Sequence, residues 1–243
     1  SRSTRARHLS SIKQFFKFCV ESGFLITDPS SQLSGPKLAK PLPKTITLEE
    51  IDTLLKVAKS QGRTEFERAR NNCLMEVLYA SGMRITELMS LPVASARGSP
   101  KMLLIKGKGS KERLVPLSPP AIDALDHWLK LRDEKENLLF KEGFKRSSFL
   151  FPSHSKNGYL TRNWFFNKIK SWAIEAGVKS ESVSPHTIRH AFATHLLSNG
   201  ADLRVIQTLL GHSDITTTEI YTHIVNDKLK STLEEYHPLS KKK

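Results

Sequence analysis

The 243-residue sequence predicts a mainly α fold that carries one small antiparallel β-sheet, an α+β arrangement. Apolar residues recur at helical spacing in run after run, and several runs close on a glycine: Gly82, Gly177, Gly200 and Gly211. Only one pair of short strand-like runs interrupts them, on either side of Gly107-Lys108-Gly109-Ser110. With 38% hydrophobic residues the chain is long enough to bury one respectable core, which excludes disorder and a disulfide-stapled miniature scaffold.

The first predicted helix places Leu9, Ile12, Phe15, Phe16, Cys19 and Val20 on one stripe with Arg5, Lys13 and Lys17 between them, and it ends at Gly23. About 35 residues cannot enclose a core alone. The segment 1–35 is therefore read either as the tail of a helical N-terminal domain, which we favour, or as an arm lying on the main one. Residues 36–46 follow as a stiff basic linker, because Pro36, Pro41 and Pro43 fix φ and keep the preceding residues out of helix. A second domain, 47–243, opens on the capping box Thr47-Leu48-Glu49-Glu50, ahead of the stripe Ile51, Leu54, Leu55, Ala58. Further helices are expected at about 65–81, 118–133, 161–176, 185–199 and 202–210. Met102–Lys106 and Arg113–Leu117 form the expected hairpin, with a lysine at its tip. Lys241 to Lys243 read as a frayed end.

Charge narrows the partners. Lys and Arg number 38 against 24 Asp and Glu, a formal +14 at pH 7, and residues 1–46 hold eight of the basic residues against Glu21 and Asp28. An excess gathered at one end points to a polyanion, nucleic acid first. Cys19 and Cys73 lie in apolar helical patterns without CxxC spacing, and read as reduced core residues of a cytosolic protein. No apolar run approaches the ~20 residues of a membrane span, so no membrane partner is expected.

Several chemistries lack their patterns: HExxH, GxSxG and paired CxxC are absent, and Gly107-Lys108-Gly109 is no P-loop. The last third is instead dense in basic and polar residues. In Ser184-Pro185-His186-Thr187-Ile188-Arg189-His190, Ser184 caps a helix and Pro185 suits its first turn. His186, Arg189 and His190 fall in one narrow sector, and Ile188, Ala191, Phe192 and His195 on the packing side. A guanidinium between the two histidines opposes a metal cation and favours a phosphate, so no metal is expected. Tyr221 is ordinarily a poor nucleophile, its phenol titrating near 10; cations aimed at a phosphodiester would change that, and a nearby histidine could take its proton.

Four separated boxes carry a resemblance. Ser184–Leu197 resembles the His-x-x-Arg box of the tyrosine recombinases, and Gly200–Gln207, Leu210-Gly211-His212-Ser213-Asp214 and Ile220-Tyr221-Thr222-His223 are similar to the Xer chromosome-dimer resolvases, in the XerD rather than the XerC branch. Tyr79–Leu88 resembles the first-arginine box, and Gly107–Arg113 the hairpin that presents the family's lysine. The likeness spans about residues 36–237 and implies a tyrosine-recombinase catalytic domain, with a preceding domain of which 1–35 is the remnant.

The resemblance implies a role for each residue. Tyr221 is the nucleophile, Arg84 and Arg189 clamp the nonbridging phosphate oxygens, and Lys108 protonates the leaving 5′ oxygen. His186 manages the tyrosine proton, His212 donates to the phosphate, and Glu87 orients Arg84. DNA contacts are expected at Arg5, Lys37, Lys40, Lys44 and Lys111. The reaction needs no cofactor, since tyrosine attack exchanges one phosphodiester for another. Expected partners are a double-stranded DNA recombination site and sister subunits assembling as a tetramer, and the branch admits a XerC-like partner and a cell-division DNA translocase. Leu229, Leu233 and Tyr236 are expected on a C-terminal exchange helix that docks on a neighbouring subunit. A mobile-element integrase and a non-catalytic DNA-binding protein on the same fold are the alternative functions.

Overall fold

The computed structural model describes residues 2–36, 46–98, 100–107, 112–211, 232 and 235–238. Its chain divides into two compact units, Ser1–Lys44 and Thr45–Lys243. In the first, α1 (Arg2–Glu21) leads into a turn in which the Phe24 amide donates to the Cys19 carbonyl at 2.8 Å. Phe15 and Phe18 remain exposed and Cys19 is half-buried, which corrects its reading as a core residue. One helix and fifteen described residues after it cannot close over a whole apolar stripe.

The second unit is built around α3 (Glu65–Ser81), which α2 (Leu48–Ser60), α5 (Pro119–Lys141) and α7 (Pro185–Ser198) cover on different sides. Burial explains its composition: Cys73, Leu74, Met75, Val77, Leu78 and Ala80 are all inaccessible, so α3 is apolar nearly all round. The capping box of α2 is present, Thr47 accepting from the Glu50 amide and Glu50 from that of Thr47. On the far side Trp128 stacks on Phe151 at 5.8 Å and donates from Nε1 to the Leu150 carbonyl at 3.0 Å.

Two strands, β1 (Met102–Lys106) and β2 (Glu112–Pro116), pair antiparallel in the register Lys106↔Glu112 to Met102↔Pro116. Short α4 (Ile85–Met89) precedes them, and α6 (Arg162–Glu175) and α8 (Leu203–Leu210) are the other α-helices among the described residues. α5 runs to Lys141 rather than stopping near 133, because Glu134 to Leu139 contain no breaker and the chain first turns left-handed at Gly143 (φ 92°). Among the described residues no helix is long and apolar enough to cross a membrane.

The described C-terminal residues make contacts within the second unit. Tyr236 packs on the unit's own core and its carbonyl accepts from Asn199 Nδ2 at 2.6 Å, while His237 is buried against the rings of Tyr79 and Phe192, at 4.9 and 5.9 Å. Leu229 and Leu233 lie outside the described residues. Behind the same helices Tyr79 donates to His195 Nδ1 at 3.0 Å, which fixes the tautomer with Nε2–H donating to the Ile46 carbonyl at 2.9 Å.

α3 ends on Gly82, whose φ of 56° is left-handed and whose Cβ, were there one, would lie 2.3 Å from Phe192 Cδ1. Only glycine satisfies both the turn and the approach of α7. Gly82→Ala should therefore destabilise the unit by about 2 kcal/mol or more. A urea midpoint unchanged from wild type would contradict this, and adding Phe192→Leu should recover part of the loss.

Candidate active site

The turn at Gly82 delivers Arg84 as the residue that caps α4, with Glu87 one turn on. Glu87 reaches back and accepts the Arg84 amide at 2.8 Å and Arg84 Nη1 at 3.1 Å. Its carboxylate also accepts a two-pronged contact from Arg113 on β2, Nη1 to Oε1 at 3.1 Å and Nη2 to Oε2 at 2.7 Å. Burial alone would raise the Glu87 carboxyl, but these bonds from Arg113 and Arg84 outweigh it and hold the group below the ordinary carboxylate value. Glu87 is thus ionised at neutral pH, with both oxygens occupied by guanidinium and amide donors.

Arg189 arrives from α7 and lies deeper than its place beside His186 in the sequence suggested: it is 8% exposed. Nη1 donates to the Gly82 carbonyl and Nη2 to the Leu210 carbonyl, both at 2.6 Å. Each carbonyl belongs to a helix end, α3 and α8, where the backbone lacks an intrahelical partner. Two of its five N–H groups are so used; among the described residues no carboxylate bonds to it. Burial, together with the charges of Arg84 and Arg113, lowers its pKa to about 10, against a smaller opposing pull from Glu87. It stays protonated at pH 7 and is short of an anion.

The sequence reading assigned Arg113 no role, although a signal was present. Residues 113 and 115 share one face of β2, and Val115 is wholly buried. A cation on the inward face of a strand requires a partner. Arg113 Nε also donates to the Leu209 carbonyl at 3.1 Å.

Arg84, 43% exposed in its side chain, borders an open cleft of about 440 Å³ together with Thr86, Ser90, Lys106 and Gly107. Lys108 directly follows Gly107, and His212 directly follows Gly211, the left-handed cap of α8 that lies against Arg113. Lys108, His212 and Tyr221 themselves lie outside the described residues, as do Lys37, Lys40, Lys44 and Lys111. His186 is exposed on the first turn of α7, one turn before Arg189, and Arg5 is exposed on α1. The structure therefore brings together Arg84, Glu87 and Arg189, adds Arg113, and leaves Arg5 in the other unit. Among the described residues no three His, Cys, Asp or Glu side chains are grouped to hold a metal.

Three guanidiniums around one carboxylate should bind anions. Pyrophosphate should raise the thermal midpoint of wild type by a few degrees, and by clearly less in Arg84→Ala, following the mass-action stabilisation of a folded state by its ligand. Equal rises in both proteins would move the anion site elsewhere.

Comparison with known proteins fits this chemistry. The phage integrase family profile matches residues 44–228. Tyrosine recombinase XerD of Brucella suis biovar 1 (strain 1330) is 45% identical over 244 residues, covering 98% of this chain and 77% of that protein. XerD of Caulobacter vibrioides (strain ATCC 19089 / CIP 103742 / CB 15) is 44% identical over 243 residues, covering 100% and 78%. Among solved structures, XerA recombinase superposes with a TM-score of 0.61 at 26% identity over 98% of this chain and 77% of that one. XerH bound to a palindromic difH substrate, a post-cleavage complex, gives 0.59 at 28% identity over 84% and 57%. With a mainly helical unit that bears a two-stranded sheet and gathers Arg84, Arg113 and Arg189, these matches show that the chain belongs to the phage integrase family of tyrosine recombinases.

Proposed function

We propose that this chain cuts and rejoins double-stranded DNA at a specific site through a 3′-phosphotyrosyl intermediate, and that its task is to resolve chromosome dimers at cell division. The observation that carries the reading is Arg189: a buried guanidinium fixed by two backbone carbonyls, with three N–H groups left over and no carboxylate bonded to it among the described residues. A scissile phosphate supplies the missing charge. Its nonbridging oxygens take the remaining donors of Arg189 and the exposed side of Arg84, which Glu87 holds from behind. Donors already in place when negative charge builds on phosphorus need no reorganisation in the transition state.

In this mechanism Tyr221 Oη attacks phosphorus as His186 accepts its proton. The new bond joins tyrosine to the 3′ phosphate, and the bond to the 5′ oxygen breaks. Lys108 gives that oxygen its proton, and His212 donates to a nonbridging oxygen. One phosphodiester replaces another, so attack by a second 5′ hydroxyl reverses the step and rejoins the strand without ATP. Arg5, Lys37, Lys40, Lys44 and Lys111 bind DNA phosphates away from the chemistry. Segment 1–35 belongs to a helical N-terminal DNA-binding domain, 36–46 is a basic linker, and 47–243 is the catalytic domain with its C-terminal exchange helix. Four subunits assemble on paired sites, a XerC-like recombinase supplies half of them, a cell-division DNA translocase acts on the assembly, and the chain works in the cytoplasm. The identity to the two XerD proteins supports this biological setting.

Trapping on a nicked suicide duplex tests the chemistry. Wild type should form a DNA-linked band on denaturing gels, and Tyr221→Phe should lose it while keeping DNA affinity within about threefold, since only the attacking oxygen is removed. A band that persists in Tyr221→Phe moves the nucleophile elsewhere; no band in wild type favours a DNA-binding protein that does not cut.

Lys108→Ala should slow cleavage of ordinary DNA by about 10² to 10⁴, the usual contribution of a positioned acid. Sulfur in place of the bridging 5′ oxygen leaves without a proton, so that substrate should largely restore Lys108→Ala and not Arg189→Ala. If the sulfur substrate is cut as slowly by Lys108→Ala, the acid lies at His186, His212 or Lys111.

A further inference from the structure

We propose that Arg113 is a positioning residue for strand cleavage: it sets Arg84 and Arg189 at a fixed separation by tying the Glu87 carboxylate to the C-terminal end of α8. The proposal rests on the reading of Arg84 and Arg189 as the clamp on the scissile phosphate. Arg113 is not part of the clamp, for its side chain is 12% exposed and it does not border the cleft that Arg84 lines.

The connection is continuous and polar. Arg84 bonds to Glu87, Glu87 to both Nη atoms of Arg113, and Arg113 Nε to the Leu209 carbonyl. The next carbonyl along, Leu210, is held by Arg189. Two cations brought from α4 and α7 are thereby indexed to each other through a third that sits on the sheet. Without Arg113 the Glu87 carboxylate keeps only Arg84, through that residue's amide and Nη1, and nothing then ties it to β2 or to the end of α8. The guanidinium fork is required because one ammonium cannot span two carboxylate oxygens and a backbone carbonyl at once.

Gly211 provides an independent observation. At φ 66° it ends α8, and a Cβ there would stand 3.1 Å from Arg113 Cδ and 3.2 Å from Nε. The helix end is shaped around this arginine. In the sequence Lys108 lies five residues before Arg113, and His212 follows Gly211.

The test uses the whole chain, a nicked suicide duplex under single-turnover conditions, and parallel measurements of DNA affinity and thermal midpoint for wild type, Arg113→Lys, Arg113→Gln, Glu87→Gln, Arg113→Gln with Glu87→Gln, and Tyr221→Phe. Arg113→Gln should cleave about 10²-fold more slowly, as expected for a clamp displaced by about an ångström, with affinity within threefold and the protein folded at the assay temperature. Arg113→Lys should recover part of the rate. The double variant should be no slower than the slower single one, because both changes break one chain of contacts. Rate losses that multiply, an unchanged rate in Arg113→Gln, or a loss that equals the unfolded fraction would each overturn the proposal. If Arg113→Gln does not fold, Gly211→Ala displaces the same side chain without removing it, and an unchanged cleavage rate in that variant would overturn it equally. A wild type that forms no adduct, or a Tyr221→Phe that does, sinks the strand-cleavage reading itself, whatever Arg113 does.

Discussion

A single carboxylate, Glu87, faces three guanidiniums. Placing Arg84, Arg113 and Arg189 near one another costs free energy that grows as water is excluded, and the 8% exposures of Glu87 and Arg189 show how far it is excluded here. Glu87 relieves part of that repulsion, and its two oxygens define where Arg84 and Arg113 stand. The remainder is left uncompensated among the described residues, a surplus of positive charge that suits an anion. Arg189 shows the same balance from the other side: burial and its cationic neighbours bring its pKa down to about 10, low for an arginine and still far above neutrality.

The backbone does the rest of the holding. Arg189 stands between the carbonyls of Gly82 and Leu210, and Arg113 takes Leu209. These are ends of α3 and α8, where carbonyls have no helical partner and carry the negative end of the helix dipole. The arginines therefore finish the helices while the helices aim the arginines. Packing fixes the distances: Phe192, three residues after Arg189, lies on Gly82 so closely that no side chain fits between them, and Phe192 is itself 1% exposed. A shift of α7 would move Arg189 and the core together, so the placement of Arg189 is inherited from a well-packed interior.

Much of this was legible in order along the chain. Glycine-closed helical stripes and one glycine-centred strand pair read directly as α+β, since period 3.6 and period 2 are local properties that side chains display without tertiary context. The capping boxes at Thr47 and Ser184 are present for the same reason, being contacts between residues three apart. Where local signals were silent the reading missed: α5 continued to Lys141 because its end depends on the left-handed turn at Gly143, and Cys19 sits half-exposed because an apolar stripe says that a face wants cover, not that the chain supplies it.

By itself, then, the sequence determined the helices, the hairpin, the excess of positive charge and the identity of Arg84, Glu87 and Arg189 as members of motifs. Each of these resides in residues close along the chain. Only the tertiary structure decided that Arg84 and Arg113 share the Glu87 carboxylate, that Arg189 and Arg113 take adjacent carbonyls at the end of α8, and that Arg189 is buried rather than displayed beside His186. His237 came to lie against Tyr79 of α3 and Phe192 of α7 on the same basis. Burial and charge balance belong to distances across the fold, and no spacing along a chain contains them until α3, α7, α8 and the sheet have packed.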